Sequence, residues 1–151
     1  MKAPSPPPNV VTPRSAGEAL RLHWLLYVYE GAELAWFMVA ACAATVVLFG
    51  AHSPVVFAIP SAALRRLIMG LAMGATAVLI IHSPMGKRSG AHFNPAITLT
   101  YLRLGKIAGW DAVGYIVGQF LGGVGADSVG AGVQAVGHRL DQPRVPRQHV
   151  A

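Results

Sequence analysis

Long apolar runs separated by short breaks organise the chain. Residues 31–50 carry only Glu33 and Thr45 as polar interruptions, residues 67–81 form a second run that 62–64 can extend backward, and residues 108–126 form a third. A membrane-crossing helix needs about 20 predominantly apolar residues, so each run predicts a span. Between the second and third runs the pattern changes. Residues 82–92 contain Pro84, Gly86 and Gly90, which break regular structure. Asn94 and Pro95 follow and lead into a short amphipathic stretch, 96–104. Proline suits the first turn of a helix, where its missing N–H has no partner to lose, and asparagine before it caps that turn. The pattern predicts a loop that descends into the bilayer and turns back as a half-helix over 95–103. Lys87 and Arg88 are expected at the aqueous surface because charge near the bilayer centre is costly, and Arg103 and Lys106 return the half-helix to water. The fold class is therefore an all-α integral membrane protein with three transmembrane helices and one re-entrant half-helix.

The flanks are of different character. Residues 1–17 are rich in proline and serine and read as extended or disordered. Trp24, Tyr27 and Tyr29 then make an aromatic approach suited to the headgroup belt. Pro54 and Pro60 bracket a loop, and Arg65 and Arg66 mark the next interface. The divisions expected are 1–29 as an interfacial N-terminal segment, 30–126 as the membrane unit and 127–151 as a polar tail. Gly114, Gly118 and Gly122 share one helical face at four-residue spacing, and Gly70 and Gly74 repeat the device. Such faces let membrane helices approach closely.

Composition supports a membrane setting: 54% of residues are hydrophobic and 12% charged, about half the charged share of soluble domains. The net charge of +6 comes from basic residues scattered between apolar runs, so no nucleic-acid stripe is present and anionic lipid is the expected partner. Lys2, Arg14, Arg21, Lys87, Arg88, Arg103 and Lys106 fall on one side of the predicted topology. Arg65, Arg66, Arg139, Arg144 and Arg147 fall on the other. Seven against five favours a cytoplasmic N-terminus. No apolar core precedes residue 24, so no cleavable signal peptide is expected. Cys42, the single cysteine, reads as a small packing residue. The six histidines lack metal-ligand spacing, and no nucleophile–base pair or paired-carboxylate arrangement points to an enzyme. No cofactor is implied.

Ser89-Gly-Ala-His-Phe-Asn-Pro-Ala-Ile-Thr-Leu99 resembles the first Asn-Pro-Ala loop of the aquaporins, the major intrinsic protein family of water and glycerol channels. The resemblance extends through Gly70-Leu-Ala-Met-Gly74 and Gly114-Tyr-Ile-Val-Gly118-Gln-Phe and covers about residues 30–126. It implies half of an aquaporin-like right-handed bundle, multi-pass in a plasma or inner membrane, and tetrameric when complete. It places Asn94, with Pro95 and Ala96, at the pore centre, and gives the backbone carbonyls of Gly90, Ala91 and His92 to a ladder of acceptor sites. Met73 or Gly74 takes the position of a second-span filter residue. Glu30 or Glu33, with Glu30 preferred, resembles the glutamate that holds the loop backbone. Two half-helix N-termini meeting at the centre would supply the barrier to protons and cations.

From residue 127 the sequence no longer resembles the family, and no fourth span or second loop follows. A truncated or frameshifted reading frame is the expectation, with a natural half-length member carrying a polar tail as the other reading. The expected function is passive transport of water or small neutral solutes such as glycerol. The alternative is a non-conducting membrane protein that acts only as a helix-packing partner.

Overall fold

A computed structural model of the chain describes residues 12–51 and 53–141. Among these, helices follow one another without a strand: α1 (Ala16–Phe49), α2 (Pro54–Ala58), α3 (Ala62–His82), α4 (Gly86–Ser89), α5 (Pro95–Arg103) and α6 (Gly109–Asp141). Helices α1 and α3 are each long and apolar enough to cross a membrane. Helix α6 is long enough, with 33 residues giving about 50 Å at 1.5 Å per residue.

Helix α1 starts well before the predicted span. Ser15 accepts a hydrogen bond from Glu18 N, while the Glu18 carboxylate reaches back to Arg14 N at 2.8 Å. This reciprocal capping satisfies donors that open every helix, and residues 16–29 are helical and continuous with the first span. Residues 1–11, where the extended tail was expected, lie outside the described residues. The loop expected between Pro54 and Pro60 contains α2, which Ser53 caps and Pro54 opens. Arg65 then ties this turn to α3 by donating Nη1 to the carbonyls of Ile59 and Pro60.

The far end of α6 also departs from expectation. The helix continues past Ala126 to Asp141, so the expected boundary falls inside one helix; residues 142–151 lie outside the described residues. Gly130 is buried and faces the Cys42 sulfur, which keeps α6 against α1 beyond the predicted boundary.

The two long helices run parallel, with His23 opposite Asp111, Tyr27 opposite Gly114 and Cys42 opposite Gly130. Their closest approach is backbone to backbone. A Cβ on Gly118 would collide with the Tyr27 carbonyl, one on Gly122 with the Gly31 carbonyl, and one on Gly114 with the Tyr27 ring. Gly31, named in the sequence only as the start of a span, is the matching small residue on α1. Gly70 and Gly74 differ: nothing lies within 4 Å of a Cβ at either, so Gly70 packs no helix among the described residues. Helix α3 rests on α1 and α4, whereas α5 rests on α6.

Candidate functional site

The descending segment does not run straight from α3 to α5. Ser83 accepts from Gly86 N, and α4 completes one helical turn that ends at Gly90. Gly90 and Ala91 then take left-handed backbone conformations (φ 93° and 50°), and Phe93 follows at φ 28°. For non-glycine residues such φ values cost of order 1–3 kcal/mol each and persist only where neighbours hold them. The neighbours here are hydrogen bonds to three successive N–H groups. Ala91 N donates to Ser89 Oγ at 3.0 Å, His92 N to Glu30 Oε1 at 3.0 Å, and Phe93 N to Glu30 Oε2 at 2.7 Å.

A trans peptide sets its C=O opposite to its N–H. Holding those three N–H groups against the bundle therefore turns the carbonyls of Gly90, Ala91 and His92 the other way. None of the three accepts a hydrogen bond from the described residues. At the end of this row stands Asn94, exposed, its Oδ1 accepting from Ala96 N at 2.8 Å. That bond caps α5, with Pro95 in its first turn, and leaves the two amide donors of the side chain without a partner among the described residues. Ala96 is exposed beside it.

Both glutamates are buried, Glu30 at 0% and Glu33 at 1% exposure, and they do different work. Glu30 takes the two loop N–H groups and, through Oε2, the Gln119 amide at 2.8 Å. Glu33 accepts from Ser89 Oγ, one step earlier along the loop. The same Nε2 of Gln119 also reaches Thr98 Oγ1 at 3.1 Å, and Thr98 meets His92 Nδ1 at 3.2 Å. The His92 ring lies against Tyr101 and Tyr115, with centroids 4.4 and 5.2 Å away, and Tyr115 donates to the Ser89 carbonyl at 2.6 Å. Low dielectric raises both the strength of such a network and the cost of leaving a member unpaired.

Sequence reasoning named Glu30, Glu33, His92 and Asn94 but missed Ser89, Thr98, Tyr115 and Gln119 as supports. A signal was present. Asp111, Tyr115 and Gln119 stand at four-residue intervals and form one polar stripe on the otherwise apolar first half of α6. At its start Asp111 takes Tyr27 Oη at 2.7 Å and His23 Nδ1 at 2.8 Å. Met73 is half-buried and Gly74 exposed, both on α3, which does not touch α5; the described residues do not bring them to the loop.

A buried carboxylate cradle, a strained loop with outward carbonyls and a capped half-helix together define a re-entrant membrane element. The major intrinsic protein family model matches residues 31–149, and the chain belongs to that family, whose aquaporins are channels and not enzymes. The match also runs past Ala126, where the resemblance was expected to stop. The chain is 35% identical over 86 residues to Aquaporin Z of Photorhabdus laumondii, covering 56% of this chain and 37% of that protein. It is 37% identical over 113 residues to the probable aquaporin AqpM of Archaeoglobus fulgidus, covering 72% and 42%. It is 40% identical over 62 residues to the glycerol uptake facilitator protein-like 6 of Lactiplantibacillus plantarum, covering 41% and 28%. The chain thus spans less than half the length of these curated relatives. No solved structure matches it significantly.

Proposed function

We propose that this chain builds one wall of a membrane channel for passive movement of water or small neutral solutes such as glycerol. The observation that carries the reading is the row of three outward carbonyls ending at Asn94. Carbonyl oxygens accept from water or hydroxyl donors, and the Asn94 amide donates to the passing oxygen. The N-terminus of α5, bearing roughly half a positive charge, disfavours cations at that point. Irregular backbone at membrane depth is tolerated where it lines a cavity or is buried in protein, and the exposed side of this loop fits a cavity wall. The relatives named for water and for glycerol support the solute class without choosing between its members.

The chain crosses the membrane several times, with its N-terminus cytoplasmic by the seven-to-five basic count, and assembles as a homo-oligomer, a tetramer by family resemblance. One half-helix lines one side of a pore, so a complementary half is needed to close it. Osmotic shrinkage of proteoliposomes tests this. The chain alone is expected to match empty vesicles, and co-reconstitution with the C-terminal half of the Photorhabdus Aquaporin Z is expected to raise water permeability. A folded, membrane-inserted pair that leaves permeability at the empty-vesicle level defeats the proposal.

A further inference from the structure

The side of the α1–α6 crossing that faces away from the re-entrant loop is open. Because the backbones meet at Gly31, Gly118 and Gly122, that side has almost no side chains to cover its floor. A groove of about 790 Å³ follows the two helices there, from Ala16 to Val39 on α1 and from Trp110 to Val129 on α6. Its walls are apolar, with Val28, Ala35, Val117 and Leu121 among them. From Trp24 to Val39 the groove follows about 16 residues of α1, roughly 24 Å, most of the approximately 30 Å hydrocarbon core of a bilayer.

One mouth of the groove is marked. Trp24 and Trp110 both line it and are 54% and 46% exposed. They stand at one level, since the pairs His23–Asp111 and Tyr27–Asp111 fix the register there. Tryptophan is enriched where hydrocarbon meets headgroups. Two exposed basic residues lie close in sequence to these tryptophans. Arg21 precedes Trp24 and Val28 by three and seven residues, which places it on their helical stripe, and Lys106 lies four residues before Trp110. The acidic groups of this end are engaged elsewhere: Asp111 turns inward to His23 and Tyr27, and Glu18 turns to the start of α1.

We propose that this groove holds the acyl chain of an anionic phospholipid, with its phosphate between Arg21 and Lys106. Apolar length, a tryptophan boundary and paired positive charge match the three parts of such a lipid in order. The site is independent of the loop and of any transport activity.

The test uses tryptophan as the probe. The chain has three tryptophans, and Trp36 lies outside the groove, so the Trp36→Phe chain reports from the groove alone. Placed in phosphatidylcholine bilayers, it is titrated with acyl-brominated phosphatidylglycerol or, separately, acyl-brominated phosphatidylcholine at equal mole fraction. The expected result is a preference for the anionic lipid of roughly 25-fold, since each of the two basic residues near the surface contributes about fivefold. Arg21→Gln with Lys106→Gln should erase the preference while leaving the fold unchanged by circular dichroism. Gly125→Leu, at a position with nothing within 4 Å of a Cβ, should lower quenching by both lipids because it fills the groove without touching the helix crossing. Free glycerol phosphate should not compete. Equal quenching by the two lipids would mean bulk hydrocarbon only and overturns the proposal. So would weak quenching together with dimers in native mass spectrometry that Gly125→Leu abolishes, which assigns the groove to a second copy. Competition by free glycerol phosphate would assign the basic pair to a soluble phosphate and overturn it as well.

Discussion

Replacing Glu30 with glutamine tests whether one carboxylate holds the strained loop. Glu30 accepts three hydrogen bonds: His92 N on Oε1, and Phe93 N with Gln119 Nε2 on Oε2. Glutamine has one acceptor oxygen where glutamate has two. Placed to keep Phe93 and Gln119, it sets its own NH₂ against His92 N–H. That leaves a buried donor unsatisfied, at about 1–3 kcal/mol, and each of the two surviving bonds loses its charged partner, at about 1 kcal/mol. Relief from burying a charge offsets part of this. The expected net loss is about 2–3 kcal/mol, concentrated in residues 90–94, where the positive φ values depend on those bonds. Hydrogen-exchange mass spectrometry of the micelle-held chain reads the local effect, and SDS titration followed by tryptophan fluorescence reads the global one. Exchange in 90–94 should accelerate by one to two orders of magnitude, while α3 stays near its wild-type rate. A variant with unchanged exchange at the loop and an unchanged midpoint would refute the cradle as the source of the loop's geometry.

The helix crossing offers a paired comparison: Gly122→Ala, whose Cβ meets the Gly31 carbonyl, should cost about 1–3 kcal/mol by overpacking. Gly125→Ala, facing open space, should be neutral or slightly stabilising through helix propensity, as SDS midpoints will show. Asn94→Asp keeps the cap on Ala96 N but replaces amide donors with charge near the bilayer centre, so it should reduce water flux in the co-reconstituted channel more than Lys87→Gln does. For topology, cysteines placed at positions 5 and 145 on a Cys42→Ala background should label from opposite faces of the membrane, with position 5 cytoplasmic. Labelling of both from one face contradicts three crossings.

Features written in consecutive residues were legible, and features that depend on what a face meets were not. The half-helix needs only Asn94 as cap and Pro95 in its first turn, so its limits follow from local sequence. The start of α1 was equally local, in Ser15 and Glu18, but the prolines preceding it drew the boundary later. Glu30 and Glu33 lie three residues apart on one helical face, so spacing could not divide their work. Only the loop path assigns His92 and Phe93 to one and Ser89 to the other. Gly70 and Gly74 share the spacing of Gly118 and Gly122, yet only the latter pair meets a backbone. Spacing identifies residues that share a face; it does not supply the partner.

Helix α6 shows why hydropathy and the demands of the loop pull against each other. Its polar stripe, Asp111, Tyr115 and Gln119, lowers its apolar character, and α1 and α3 alone among the described helices are apolar enough by composition to count as spans. All three residues are buried, with Gln119 fully enclosed. Asp111 takes Tyr27 and His23 on α1, while Tyr115 and Gln119 face the partners that a loop inside a bilayer cannot obtain from water: the Ser89 carbonyl, the Glu30 carboxylate and the Thr98 hydroxyl. A uniformly apolar α6 would read as a better span, but it would leave the Ser89 carbonyl without its Tyr115 donor, at several kcal/mol in hydrocarbon, and take the Gln119 amide away from Glu30 and Thr98. The glycines one turn-step away on the same helix bring α1 close enough for Glu30 to reach Gln119. The polar stripe and the glycine stripe therefore depend on each other, and the loop depends on both.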